Sequence, residues 1–214
     1  MNERPSSRRR TAAVALLFVA ALAGCASAPT PADYAAETPR LELRSYFNGP
    51  LTAYGVFSDR SGKVVRRFTV RMTGTWNGNQ GVLDEDFTYS DGKKERRVWR
   101  LTELGNGRYV GRADDVVGEA QGQAAGNALN WRYTLALNVD GRTIEVQFDD
   151  WMYLMDDRVM LNKAVMSKFG IRLGEVTLAF PRPRGAPSRC TPASRPAPTG
   201  WAGSWAPPPA SVAP

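Results

Sequence analysis

The chain has no histidine. That removes the commonest general base, the commonest zinc ligand and every Ser-His-Asp or Cys-His arrangement. It has two cysteines, Cys25 and Cys190. If Cys25 is consumed by modification, Cys190 stands alone and no intramolecular disulfide forms, even in an oxidising compartment. Cys190 lies between Arg189 and Thr191 in a Pro-rich stretch, which speaks against a buried catalytic thiol. Long apolar runs are also missing: the 12 residues Ala12–Ala23 fall short of the roughly 20 that a membrane-spanning helix needs.

That short run has the context of an export signal. Arg4, Arg8, Arg9 and Arg10 precede it, and Leu22-Ala23-Gly24-Cys25 closes it. The four residues read as a lipobox, whose cysteine is acylated and becomes the mature N-terminus. The alternative is an ordinary secretory signal cut near Ala26-Ser27-Ala28. Ala26, rather than Asp, after Cys25 favours the outer membrane facing the periplasm. Acylation with more than one chain is what stable anchoring requires. The expected location is therefore a bacterial envelope, with the membrane as partner through the lipid anchor.

The formal charge of +7 is unevenly spread. The first 24 residues and the last 34 carry the surplus. The stretch 25–180 holds equal numbers of acids and bases. A nucleic-acid partner needs a basic face on a folded domain, so none is expected. Basic pairs such as Arg66-Arg67 and Lys93-Lys94 read as solvated turns and strand faces.

Four segments follow: a signal peptide at 1–24, a flexible Ala/Pro/Thr tether at 25–40, one domain at 41–180, and a tail at 181–214. The tail holds 10 of the 15 prolines and reads as disordered. Trp201 and Trp205 lie within it.

Within the domain, period-2 alternation dominates. Leu129, Trp131, Tyr133, Leu135, Leu137 and Val139 share one face of a strand. Ile144, Val146 and Phe148 share one face of the next, across an Asp140-Gly141 turn. Val64, Phe68, Val70 and Met72 make a third set, broken by Arg66. Further strands are expected near 51–58, 81–89, 94–102, 107–116 and 171–180, with 157–169 favouring strand over helix. The fold class is all-β: a single antiparallel up-and-down, lipocalin-like barrel of about 8–10 strands. Closure removes the exposed edges that an open sheet would have to protect.

Several blocks in order carry a family resemblance. Tyr46-Phe47-Asn48-Gly49, Ala53-Tyr54-Gly55 and Asp59-Arg60-Ser61-Gly62 open it. Glu85-Asp86-Phe87, Arg97-Val98-Trp99, Asp115-Val116-Val117-Gly118-Glu119-Ala120 and Gly126-Asn127-Ala128 continue it. Asp149-Asp150-Trp151-Met152-Tyr153, Lys168-Phe169-Gly170 and Gly174-Glu175-Val176 complete it. Over about residues 44–180 the chain resembles the bacterial lipoprotein family catalogued as domain of unknown function 3833. The resemblance implies a lipoprotein with a lipocalin-like barrel and no established activity.

The candidate ligand-binding residues are Glu85, Arg97, Trp99, Trp131, Tyr133, Asp150, Trp151 and Tyr153, with Cys25 as the lipidation site. Asp150 reads either as a turn or ion-pair residue, with Trp151 a core plug, or as a barrel-mouth residue walled by Trp151 and Tyr153. Glu85 and Arg97 read as a buried pair, structural or headgroup-binding. Trp99, Trp131 and Tyr133 line a cavity or fill a dry core. Asp114-Asp115 and Asp156-Asp157 lack the oxygen-ligand spacing of a calcium loop, so neither metal nor cofactor is expected. The leading function is a module binding a lipid or fatty acid, more consistent with a binder than an enzyme. A structural factor with a filled barrel and a carboxylate-dependent enzyme on lipid-derived substrates remain open, and a protein partner is not identified.

Overall fold

The computed structural model describes residues 28–139 and 141–182. The signal segment, Cys25, Asp140, Cys190, Trp201, Trp205 and all but two residues of the 181–214 tail lie outside the described residues.

Among the described residues ten strands follow one another: β1 (Gly49–Asp59), β2 (Val64–Asn77), β3 (Gln80–Tyr89), β4 (Lys94–Gly105), β5 (Arg108–Arg112), β6 (Val116–Ala125), β7 (Ala128–Val139), β8 (Arg142–Leu154), β9 (Val159–Lys168) and β10 (Ile171–Pro181). Each pairs antiparallel with its neighbours, and β1 pairs with β10, so the sheet closes as an up-and-down barrel. The strand alternation read from the sequence sets which side chains enter the lumen. Val70 and Met72 on β2, Leu129 and Trp131 on β7, and Val146 and Phe148 on β8 are buried there.

The region near 107–116 is two strands, not one. It breaks at Ala113–Asp115, and β6 continues through a bulge between Val117 and Gln121, where Gly118 adopts φ +72°. Val64 is 49% exposed and does not share the apolar face of Val70 and Met72. A register shift opposite Phe57/Ser58 skips Val65, so Arg66, and not Val64, stays in phase with Phe68, Val70 and Met72 along β2. The segment 157–169 is strand β9, paired with β10 across a two-residue turn, Phe169-Gly170.

One end of the barrel is plugged. Leu41, Leu43, Tyr46 and Phe47 are buried, the last three at or beside a one-turn helix, α1 (Leu43–Tyr46). They pack with Leu51, Met72, Leu101, Tyr109, Leu154, Met160 and Phe180. The Tyr46 hydroxyl donates to the Phe180 carbonyl, and the Phe47 and Phe180 rings meet edge to face at 5.7 Å.

In the region read as a flexible tether, residues 28–40 are mostly exposed, and Pro31, Tyr34 and Pro39 are half-buried. A 3-10 turn, Pro31–Tyr34, begins at Thr30, which exchanges hydrogen bonds with Asp33. The Leu41 N–H donates to the Gly126 carbonyl at 2.8 Å. Tyr34 stands against Trp151 and Tyr153, with ring centres 5.7 and 5.4 Å away. The Ala/Pro/Thr composition masked these contacts, because a handful of apolar side chains suffices once the barrel supplies the surface.

Candidate functional site

Inward-facing side chains divide the lumen into two halves. Near the plug they are buried: Met72 on β2, Leu83 on β3, Leu101 on β4, Leu129 on β7 and Met160 on β9 are each 8% exposed or less. Towards the opposite end they open to solvent in part. Arg66 and Phe68 on β2, Phe87 and Tyr89 on β3, Arg97 on β4, Tyr133 and Leu137 on β7, Ile144 on β8 and Met166 on β9 are all half-buried. The lumen is thus a cup, closed by α1 and facing solvent at the β1–β2, β3–β4, β5–β6, β7–β8 and β9–β10 connections, with Leu135, Val146 and Ala164 packed inside it as a second buried cluster.

The cup floor is polar in an otherwise apolar and aromatic setting. Glu85 enters from β3 and Asp150 from β8, 8% and 7% exposed. Asn162 enters from β9 between buried Met160 and Ala164, and its amide donates to the Asp150 carboxylate and to the Trp151 carbonyl. Glu85 is opposite Arg97 in the β3–β4 ladder. The Arg97 guanidinium, however, grips Asp115, with Nε–O distances of 3.1 and 2.9 Å and an Nη2–O distance of 2.7 Å.

Aromatic rings cross the lumen above and beside these groups. Trp99 meets Trp131 and Tyr133 edge-on, with centroids at 5.8 and 5.5 Å. Tyr133 stacks on Phe148 at 5.0 Å. Such pairs contribute about 0.5–1.5 kcal/mol beyond area burial. Trp131 has room because β6 presents Gly122 beneath it: a Cβ there would lie 2.2 Å from the indole ring. Nearer the mouth, Arg66 lies 3.8 Å over the Tyr89 ring and pairs with Asp91 at 2.6 Å.

Burial sets the electrostatics. It pushes the Glu85 carboxyl up to about 7, against the opposing pull of Arg97, while Asp115, Asp150 and Asp84 add to the rise. Asp150 is likewise pushed up to about 7 by burial; the Asn162 hydrogen bond opposes the rise and Asp149 adds to it. Burial, then the Asp150 charge, raises the Tyr133 phenol. For Arg97, burial disfavours the charge, but Glu85 and then Asp115 hold the guanidinium above its ordinary value. Two carboxyls that titrate near neutrality, one cation tied to a third carboxylate, and a phenol share one space.

Of the eight candidate residues, the structure brings six together: Glu85, Arg97, Trp99, Trp131, Tyr133 and Asp150. Trp151 and Tyr153 do not wall the lumen. Period-2 alternation from Asp150 turns them to the outer face of β8, where they stack on each other at 5.9 Å and cover Tyr34. Asp150 therefore sits in the floor, not at the mouth. Sequence reasoning missed Asn162, although an amide in the apolar phase of Met160 and Ala164 marks an interior polar group. It also did not pair Asp115 with Arg97. Outside the barrel, a shallow groove of about 620 Å³ runs over β9, β10, β1, β2 and β3 beside Tyr54, Thr69, Leu161 and Thr177. It does not reach the carboxyl cluster.

Residues 19–182 match the family model described as "Protein of unknown function (DUF3833)". No curated protein matches the chain. Among solved structures, a protein of unknown function from the DUF3598 family of Nostoc punctiforme is similar at 14% identity and a TM-score of 0.47, over 72% of this chain and 53% of that one. The chain thus spans about half the length of that relative. A second, titled "Structure of EF1p2_mFAP2b bound to DFHBI", is similar at 8% identity and a TM-score of 0.37, over 66% of this chain and 97% of that one.

Proposed function

We propose that this chain, which belongs to the family described as "Protein of unknown function (DUF3833)", is an envelope lipoprotein that holds a lipophilic ligand in the open half of its barrel. The observation that carries the reading is the division of the lumen. The plugged half is packed as a protein core, while the mouth half, around a smaller buried cluster of Leu135, Val146, Phe148 and Ala164, keeps other aromatic and aliphatic side chains in partial contact with solvent. Apolar concave surface with a few convergent polar groups is the usual chemistry of a small-molecule site. Leu137, Ile144, Met166, Leu173 and Val176 form an aliphatic wall on β7–β10. Phe68, Phe87 and Tyr89 form an aromatic wall on β2 and β3.

Acylation of Cys25 fixes an orientation within this reading. Thr30 begins the turn that packs at the plugged end. Five residues of chain reach at most about 18 Å. The leash from Cys25 to Thr30 therefore keeps the plugged end near the membrane and points the mouth into the aqueous side.

Titration of the delipidated chain with a fluorescent acyl probe tests the proposal. Saturable one-to-one binding, competed by unlabelled envelope lipid, supports it. Absence of saturable binding to any envelope lipid contradicts it and favours a structural factor with a filled barrel. One observation favours a second reading, a carboxylate enzyme on lipid-derived substrates: Glu85 and Asp150 both titrate near 7, where general acids and bases work. Turnover abolished by Glu85→Gln or Asp150→Asn in a folded protein distinguishes it.

A further inference from the structure

The cup floor has more hydrogen-bond acceptors than donors. Glu85, 8% exposed, takes part in none of the side-chain hydrogen bonds or ion pairs among the described residues. Asn162 is 2% exposed, and its Oδ1 has no partner. The amide assignment follows from its surroundings: its NH2 faces the Asp150 carboxylate and the Trp151 carbonyl, both acceptors, which turns Oδ1 away from them. Asp150 receives that one side-chain hydrogen bond. The resident cation, Arg97, hydrogen-bonds Asp115 through three contacts and reaches Glu85 through its charge alone. With every group ionised, Glu85, Asp115 and Asp150 outweigh Arg97 by two negative charges. Buried acceptors left without donors carry a desolvation penalty that a bound donor removes.

We propose that the polar end of the bound ligand is a primary ammonium group, seated between Glu85 and Asp150 with Asn162 Oδ1 as a third acceptor. The proposal rests on the reading of the mouth half as a ligand cup. An ammonium supplies three donors and no acceptor, which matches the Glu85 carboxylate, the second oxygen of Asp150 and the unpartnered Asn162 Oδ1. The rings of Trp99, Trp131 and Tyr133 beside the floor add the π-faces that attract an organic cation. The hydrocarbon part then runs towards the mouth along Leu137, Ile144, Met166 and Val176. A fatty-acid carboxylate would instead bring a further anion beside two carboxyls, with the guanidinium already engaged. Among the described residues no three Asp, Glu, Cys or His side chains converge as a metal set, so the donor set suits an organic cation better than a metal ion.

The groups facing the seat set its pH response. Glu85 faces Arg97 from β4, Asp115 from the β5–β6 connection, and Asp150 from β8. Asp84 adjoins it on β3. Asp150 faces Asn162 from β9 and Tyr133 from β7, and Asp149 adjoins it on β8. Ammonium binding needs the carboxylates ionised, so it strengthens as pH rises through about 7. The alkylammonium itself stays charged to about 10.

The test compares three probes with one hydrocarbon chain: dodecylammonium, laurate and dodecanol. Each is titrated, below its aggregation concentration, into the full chain carrying Cys25→Ser, so that no acyl chain of its own competes. Trp99 and Trp131 fluorescence reports occupancy. The expected result at pH 8 is dodecylammonium at least tenfold tighter than either other probe, with that preference shrinking at pH 5.5. Glu85→Gln/Asp150→Asn, checked for folding by circular dichroism, should abolish the preference. Laurate or dodecanol binding as tightly as dodecylammonium overturns the proposal, as does a preference that survives the double substitution. If laurate and dodecanol bind and only the amine preference is missing, the cup reading stands and the ammonium assignment falls. If none of the three binds, both fall.

Discussion

Glu85 stands directly across the β3–β4 ladder from Arg97, yet the Arg97 side chain is engaged by Asp115. An arginine placed opposite a buried glutamate would ordinarily neutralise it. Here the guanidinium serves the carboxylate at the cup's edge, and the one in the floor keeps a pKa of about 7. The arrangement holds an interior charge in reserve, and several measurable consequences follow from it.

Removing the competitor should return the arginine to the glutamate. Asp115→Asn deletes a negative charge that raises Glu85 and frees the Arg97 guanidinium. The Glu85 pKa is expected to fall by at least about one unit, since an opposite charge at contact lowers a carboxyl by 1–3 units. Carbon-13 NMR titration of the glutamate carboxyls reads this directly. An unchanged Glu85 would mean that Arg97 cannot reach it.

The floor should make the protein more stable in mild acid than at pH 8. Glu85 and Asp150 have folded pKa values raised above their unfolded ones. Their contribution is complete below about pH 4 and is lost as pH rises through about 7. Each unit corresponds to about 1.4 kcal/mol, so the two together cost at most about 8 kcal/mol by pH 8. The exposed Asp59, Asp91 and Asp156 act in the opposite sense: their lowered values give stability that is lost as pH falls through the acid range. Urea unfolding should therefore show a maximum near pH 4–5. Glu85→Gln/Asp150→Asn should flatten the fall between pH 5 and 8. A stability that instead rises across that window contradicts the assignment.

The plug should be sensitive to one methyl group. A Cβ on Gly74 would lie 1.5 Å from the Phe47 carbonyl oxygen. Gly74→Ala must push the Leu43–Phe47 segment off the barrel end, with an expected loss of about 2–4 kcal/mol, the scale of other severe packing changes. Chemical denaturation gives the loss, and limited proteolysis near residues 43–47 locates it. Stability within 0.5 kcal/mol of the native chain, on the order of a neutral surface substitution, would show that the plug is dispensable.

The mouth should stay in water when the chain is anchored. Phe169 is 88% exposed at the β9–β10 turn, held at φ +52°, a conformation costly for a residue with a side chain. In Phe169→Cys with Cys190→Ser, a bilayer-excluded maleimide should label position 169 as fast in proteoliposomes as in detergent. Strong protection by the bilayer would mean that the mouth, not the plugged end, lies on the membrane.

The strands were legible because each has one face on a core and one in solvent, which imposes period 2. Leu129 to Val139 and Ile144 to Phe148 showed it plainly, and their turns fixed the antiparallel order. The phase of Trp151 and Tyr153 was also available: with Ile144, Val146 and Phe148 inward, Asp150 is inward and its aromatic neighbours are outward. β6 was obscured by Gly118, Gly122 and its Glu and Gln residues, whose spacing serves a bulge and the seat of Trp131. The Arg97–Asp115 pair and the N-terminal plug depend on closure of the whole barrel, which brings together segments that no local pattern connects.

The central claim is that the open half of the barrel is occupied in life. Native mass spectrometry of the chain purified from its own envelope, followed by lipid extraction, tests it most directly. The account predicts a lipophilic molecule bound one to one and lost on denaturation. A barrel that arrives empty and takes up no lipid when offered it would contradict the account and mark the lumen as a core.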